Sequence, residues 1–165
     1  MQKVNQLIEA RWALPMRKRN AEIMDHWAVA ISDGVIVATG SFDTLNQTYK
    51  ADEHIQLKDH ILLPGFINAH AHSPMVLLRA LSDDVRLENW LKDCIWPAEK
   101  TLISESFIED GMRLAIAEML RGGTTCINEH YFMPSIAAQV CQTMGMRAVI
   151  GLWVGDIKLP WAPSV

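Results

Sequence analysis

Three apolar runs constrain the fold of this chain more than any other feature: "HILLPGFINAH" (60–70), "TTCINEH" (124–130) and "RAVIGLWV" (147–154). Each is continuous rather than alternating, the pattern of parallel strands covered on both faces. Helical periodicity fills the gaps between them. From Phe107 to Arg121, residues Phe107, Ile108, Met112, Ala115, Ile116, Met119 and Leu120 recur at three-and-four spacing. Ser106 and Glu109 have capping-box spacing at its start, and Gly122-Gly123 stops it. A second helix over Ser135 to Met144 is closed by Gly145. The order β-α-β-α-β implies right-handed crossovers and a parallel sheet, either open or closing into a barrel.

Residues 1 to about 60 read differently, as short alternating runs with turn punctuation. In "HWAVAISDGVIVATG" (26–40), Trp27 to Ile31 and Val35 to Val37 flank Ser32-Asp33-Gly34, and Asp-Gly supplies the positive φ angles of a tight hairpin. Arg17, Lys18, Arg19 and Asn20 read as a solvated loop before that hairpin. The expectation is an α/β chain with a β-rich part over 1–60 and βα units over 61–165.

Half of the 165 residues are apolar and 21% are charged, which is ample material for a core. A net charge of −4 with scattered lysines and arginines offers no basic stripe for phosphates. Nucleic acid and anionic membranes are therefore poor partners, and a small molecule is the better one. Cys94, Cys126 and Cys141 form no Cys-x-x-Cys pair and read as small core residues in a reducing compartment. The first twenty residues lack the apolar stretch of a signal sequence, and the run from Ile61 to Ala71 is too short and too interrupted to cross a bilayer. A cytoplasmic location is expected.

The first apolar run ends in His70-Ala71-His72. Side chains two apart on a strand share a face, so both imidazoles project to one side at the carboxyl end of a parallel strand, where such folds place chemistry. Two polar residues ending a strand are the plainer reading. A buried strand, however, leaves ring nitrogens in need of partners, and one divalent ion would serve both. A metal site needs three or more protein ligands, so two histidines alone are a weak one.

"LLPGFINAHAH" resembles the Pro-Gly-Phe-Ile-Asp/Asn-x-His-x-His signature of the metal-dependent amidohydrolase superfamily. The stretch "SPMVLLRALSDDVRLENWLKDCIWPAEKTL" looks like its branch of nucleoside and ring deaminases, and within that branch the 5-methylthioadenosine/S-adenosylhomocysteine deaminases. The resemblance runs from about Val29 to Gly151. It implies a (β/α)8 TIM barrel preceded and followed by strands of a small β-sandwich, with the barrel incomplete in this chain. His70 and His72 match the first-strand ligands of one zinc or similar divalent ion. The remaining ligands, histidines from strands five and six and an aspartate from strand eight, are expected beyond Val165 together with the proton-transfer groups. The implied activity is hydrolytic deamination of an adenine nucleoside by metal-activated water, with the fragment alone inactive. A guanine or triazine deaminase or chlorohydrolase, or a noncatalytic remnant, are the alternatives. A nucleoside is the implied partner, with room for a homo-oligomer of the full-length protein.

By the same resemblance Glu99, in "WPAEK", accepts hydrogen bonds from ribose hydroxyls; the two oxygens of a carboxylate suit a vicinal diol. Trp90, Leu91, Ile95 and Trp96 bracket it, and Trp96 is a candidate wall of the nucleoside pocket, although their spacing is also that of an ordinary packed face. His130 sits at the end of the second run and reads as lining the site or bonded locally, while His26, His54 and His60 read as surface or capping residues. Some family members carry an arginine just after the third strand; Leu152 and Trp153 stand near that point here, leaving the far end of the ligand unassigned. Nothing resembles the His-x-Glu and Pro-Cys-x-x-Cys pattern of the cytidine-deaminase class.

Overall fold

A computed structural model describes residues 1–16 and 22–153, so the Arg17–Asn20 loop and the end of the third apolar run lie outside the described residues. The chain divides into two compact units, Met1–Pro64 and Gly65–Val165.

In the first unit, strands β1 (Gln2–Ala13), β2 (Met24–Ser32), β3 (Val35–Ser41) and β4 (Tyr49–Leu62) form one sheet in the order β3-β2-β1-β4. β1 runs antiparallel to β2 and parallel to β4. The Asp-Gly hairpin forms as expected, with φ of 51° at Asp33 and 75° at Gly34. A short helix α1 (Phe42–Thr48), absent from the sequence reading, starts where the Ser41 hydroxyl accepts the Thr44 N–H at 3.4 Å. It contributes one buried side chain, Leu45, to a core with Val4, Leu7, Ala28 and Ala30. A seven-residue helix with one fully buried side chain, and Phe42 packed partly buried beside it, carries no readable periodicity.

"HILLPGFINAH" is not one strand. β4 ends at Leu62, and a separate strand β5 (Phe66–Ala71) belongs to the second unit. Pro64 has no N–H to donate and restricts its predecessor, which ends pairing. Gly65 then brings the chain against Thr125, whose Oγ1 would lie 2.2 Å from an added Cβ.

The second unit holds β5, β6 (Thr124–Glu129) and β7 (Arg147–Ile150) in a parallel sheet of order β5-β6-β7. Between the strands run helices labelled in chain order as α2 (Leu87–Asn89), α3 (Trp96–Leu102), α4 (Glu105–Arg121) and α5 (Pro134–Met144). Ile108, Met112 and Ile116 of α4 pack with Ile127 of β6 and Ala137, Val140 and Cys141 of α5. The cap of α4 is Ser104, not Ser106: the Ser104 hydroxyl accepts the Phe107 N–H at 3.2 Å, because the helix begins two residues earlier than the apolar periodicity does. Gly123 and Gly145 close α4 and α5 at positive φ, 84° and 71°.

The third strand is shorter than its apolar run, and the helices cover the sheet on one face. The other face is open: Ile67 is 70% exposed, and Phe66 and Val149 are exposed too, against the expectation of cover on both sides. Of the three cysteines, all unpaired, only Cys141 is buried.

After β5 a 3₁₀ segment, Ser73–Leu78, lies against α4 where Gly111 permits it; a Cβ there would stand 2.7 Å from the Pro74 Cα. Between α2 and α3 the helix widens into a π turn, Trp90–Ile95. The Trp96 N–H reaches back to the Leu91 carbonyl, five residues earlier, and Pro97 supplies no donor; widening the turn relieves the clash its ring would otherwise make. No described helix is long and apolar enough to cross a membrane.

Candidate functional site

A bulge aims the histidine pair. Asn68 pairs with Ile127 on the helix-covered face, where its amide meets the Met119 sulfur at 3.7 Å. Strict alternation would place His70 on that same face. The register shifts by one residue between Asn68 and Ala71, so that Ala71 pairs with Glu129 and is buried, and His70 and His72 turn to the other side. The two rings converge edge to face, with Nε2 atoms 3.3 Å apart.

His72 is held from behind. Its Nδ1–H donates to the His130 carbonyl, and the His130 N–H donates to the Ala71 carbonyl at 2.9 Å. With Nδ1 protonated, the Nε2 lone pair of His72 is free to accept, which is the usual arrangement behind a metal-binding imidazole. Two nitrogens each about 2.0–2.1 Å from one tetrahedral ion stand about 3.3 Å apart, so the donor pair fits such an ion. Among the described residues no group of three or more His, Cys, Asp or Glu side chains gathers as a ligand set.

The pair opens onto a cavity of about 400 Å³ lined also by Trp90, Leu91, Ile95, Trp96, Glu99, His130, Tyr131, Phe132 and Trp153. Every site residue singled out in the sequence is therefore in this one cavity. The π turn displaces the bracketing residues from regular helical spacing: Ile95 is buried, while Trp96, 53% exposed, presents its indole to the opening. Glu99, in the first turn of α3, is half-buried, and burial raises its carboxyl pKa, opposed by a hydrogen bond from Tyr131 and by nearby His72. Tyr131 was not legible as a site residue. Its hydroxyl donates to Glu99 Oε1 at 2.6 Å, and burial together with that carboxylate drives its own pKa far upward, so it stays a donor. His130 lines the cavity, and its main-chain N–H and carbonyl are both hydrogen-bonded.

Glu129 was also missed. Among the described residues of the second unit it is the charged one most deeply enclosed, 1% exposed, with Oε2 accepting the Ser73 N–H at 2.9 Å. Burial raises its pKa. His26 is exposed at φ 45°, and His54, in the first unit, stacks on Phe42 with its Nε2 3.6 Å from Glu9.

Residues 61–156 match the amidohydrolase family. A 5-methylthioadenosine/S-adenosylhomocysteine deaminase of Saccharophagus degradans is 41% identical over 94% of this chain and 34% of its own length. The deaminase of the same name from Thermodesulfovibrio yellowstonii is 39% identical over 91% of this chain and 34% of its own length. Among solved structures, an adenosine deaminase from Xanthomonas campestris with bound zinc superposes with a TM-score of 0.93 at 42% identity, over 99% of this chain and 37% of that one. Escherichia coli guanine deaminase shares the fold, with a TM-score of 0.73 at 15% identity. The chain spans about a third of the length of the curated relatives it matches.

Proposed function

This chain belongs to the amidohydrolase family, and on that premise we propose that it contributes half of a divalent-metal site and one wall of a nucleoside pocket to a hydrolytic deaminase. The observation that carries the reading is the convergence of the His70 and His72 Nε2 atoms in the same cavity as a half-buried carboxylate, Glu99. The names of its relatives, and the zinc in one of them, support an adenine nucleoside such as 5′-methylthioadenosine or S-adenosylhomocysteine as substrate.

In this reading His70 and His72 hold the ion, zinc or another divalent transition metal. A divalent ion supplies Lewis acidity, which makes water a nucleophile near neutral pH. In the reaction, water adds at the purine carbon bearing the amine, the C–N bond breaks and ammonia leaves. The His130 carbonyl fixes the His72 ring, and the mostly apolar cavity wall excludes bulk water. Glu99 accepts a ribose hydroxyl at Oε2 while Tyr131 occupies Oε1. Trp96 covers the sugar or base face. A bare guanine or triazine ring has no hydroxyl for that carboxylate, which favours the nucleoside over those rings.

The open face of the sheet, with Ile67 and Val149 exposed, is the face a closed (β/α)8 barrel would fill, and the first unit would lie in its companion β-sandwich. The test is ammonia release by the full-length protein, zinc-loaded, from 5′-methylthioadenosine, S-adenosylhomocysteine and guanine. Turnover of the nucleosides with a KM that rises at least tenfold in Glu99→Gln is expected. Turnover of guanine alone, or no metal-dependent turnover, would overturn the substrate or the enzyme reading respectively.

A further inference from the structure

A carboxylate enclosed in the layer between sheet and helices is costly unless it is used, since desolvation of a charge outweighs most of what one hydrogen bond returns. Glu129 is such a group. It extends from the helix-covered face of β6, in register with Ala71, at the point where the bulge has turned the histidines to the other face. Its Oε2 accepts the N–H of Ser73, the residue after His72, and its own main-chain carbonyl accepts the Gly151 N–H at 2.8 Å. Its Oε1 and the Ser73 hydroxyl are buried without a hydrogen-bond partner. The next residue, His130, ties down the same turn through its N–H to Ala71 and its carbonyl to the His72 ring.

We infer that Glu129 is a positioning residue for the histidine pair: its side chain clamps the Ser73 N–H, and so fixes the turn that sets His72 Nδ1 against the His130 carbonyl and Nε2 toward His70. Ser73 opens the 3₁₀ segment directly after His72, and among the described side chains that of Glu129 is the one that bonds its N–H. Packing alone would be served as well by an apolar residue of this volume, which makes the carboxylate a matter of the bond it accepts. The inference rests on the metal reading only for its zinc arm.

The experiment follows the imidazole signals of the 165-residue chain by NMR, first without metal and then through a zinc titration. In the parent chain, a protected Nδ1–H tautomer at His72 and joint zinc-induced shifts of His70 and His72 are expected. Glu129→Ala should lose the protected His72 signal and weaken zinc about ten- to a hundredfold, the usual range for a lost supporting partner. Glu129→Gln, which keeps an acceptor for Ser73, should restore both to within a few fold, with the methyl signals of Met112 and Ile116 unchanged throughout as the reference for an intact second unit. A His72 tautomer signal and zinc affinity unchanged in Glu129→Ala, or lost equally in Glu129→Gln while the Met112 and Ile116 methyl signals and the far-ultraviolet spectrum stay native, would overturn the inference. Absence of zinc-induced shifts in the parent chain would overturn the metal reading instead, leaving the metal-free His72 signal to decide the role of Glu129.

Discussion

The hydroxyl of Tyr131 donates to Glu99 Oε1 at 2.6 Å, tying the segment after β6 to the first turn of α3 across the mouth of the cavity. One carboxylate oxygen is thereby committed to the protein. Tyr131→Phe removes the donor and leaves a half-buried oxygen unpaired, at a cost of about 1.5–3 kcal/mol for a hydrogen bond to a charged group. Since that bond opposes the upward pull of burial on Glu99, the Glu99 pKa should rise further in the variant. Carboxyl carbon NMR across an acid titration measures the shift, and an unchanged or lowered pKa would refute the pairing.

The pH dependence of stability follows from the same carboxyl. Burial raises its folded-state pKa above that of the unfolded chain, so the folded state binds the proton more tightly. Its contribution is fully present below the unfolded pKa, near 4.5, and is lost as the pH rises through the folded value. Relative to Glu99→Gln, which cannot titrate, the parent chain should gain stability as the pH is lowered from 7 toward 4.5. Urea midpoints of the two proteins at half-unit intervals provide the comparison; a parent midpoint that falls relative to that of Glu99→Gln on acidification has the wrong sign for this account.

How much of this could be read from residues alone depended on range. The Asp33-Gly34 turn, the α4 periodicity and the Gly145 stop are local signals, and each appears where expected. His70 and His72 were paired by alternation, and they do share a face. What turns them away from the helices is the bulge at Asn68–Ala71, a mismatch with β6 some sixty residues away, which no period within β5 encodes. Glu129 and Tyr131 were illegible for the same reason. Their partners, Ser73 and Glu99, are 56 and 32 residues distant, and a glutamate after an apolar run looks like a strand end until its burial is known. The π turn at Trp90–Ile95 is a further case: Pro97 marks a disturbance but not which way the helix yields.

At Gly111 the helix layer and the turn after the histidines meet closely. Alanine would ordinarily stabilise a helix interior by about 0.5–1 kcal/mol over glycine. Here its Cβ would stand 2.7 Å from the Pro74 Cα, and backbone cannot swing aside as a side-chain tip can. Overpacking of about 1–3 kcal/mol should therefore outweigh the propensity gain, leaving Gly111→Ala destabilised by about 1–2 kcal/mol in urea unfolding. A stabilised variant would mean that the 3₁₀ segment is free to retreat.

The two faces of the parallel sheet should respond oppositely to truncation. Ile127, fully enclosed among Ile108, Met112 and Ile116, loses contacts on every side when cut back, and Ile127→Ala should cost about 2–5 kcal/mol. Ile67, one strand away and 70% exposed, should lose less than about 0.5 kcal/mol in Ile67→Ala. In a full-length protein whose barrel is closed over this face, the Ile67 substitution should become as costly as a core truncation, because the same side chain would then be buried. Chemical denaturation of both variants in both lengths of chain separates the cases. A large Ile67 effect in the 165-residue chain would show that this face is already covered, by self-association, and a concentration-dependent midpoint would identify it.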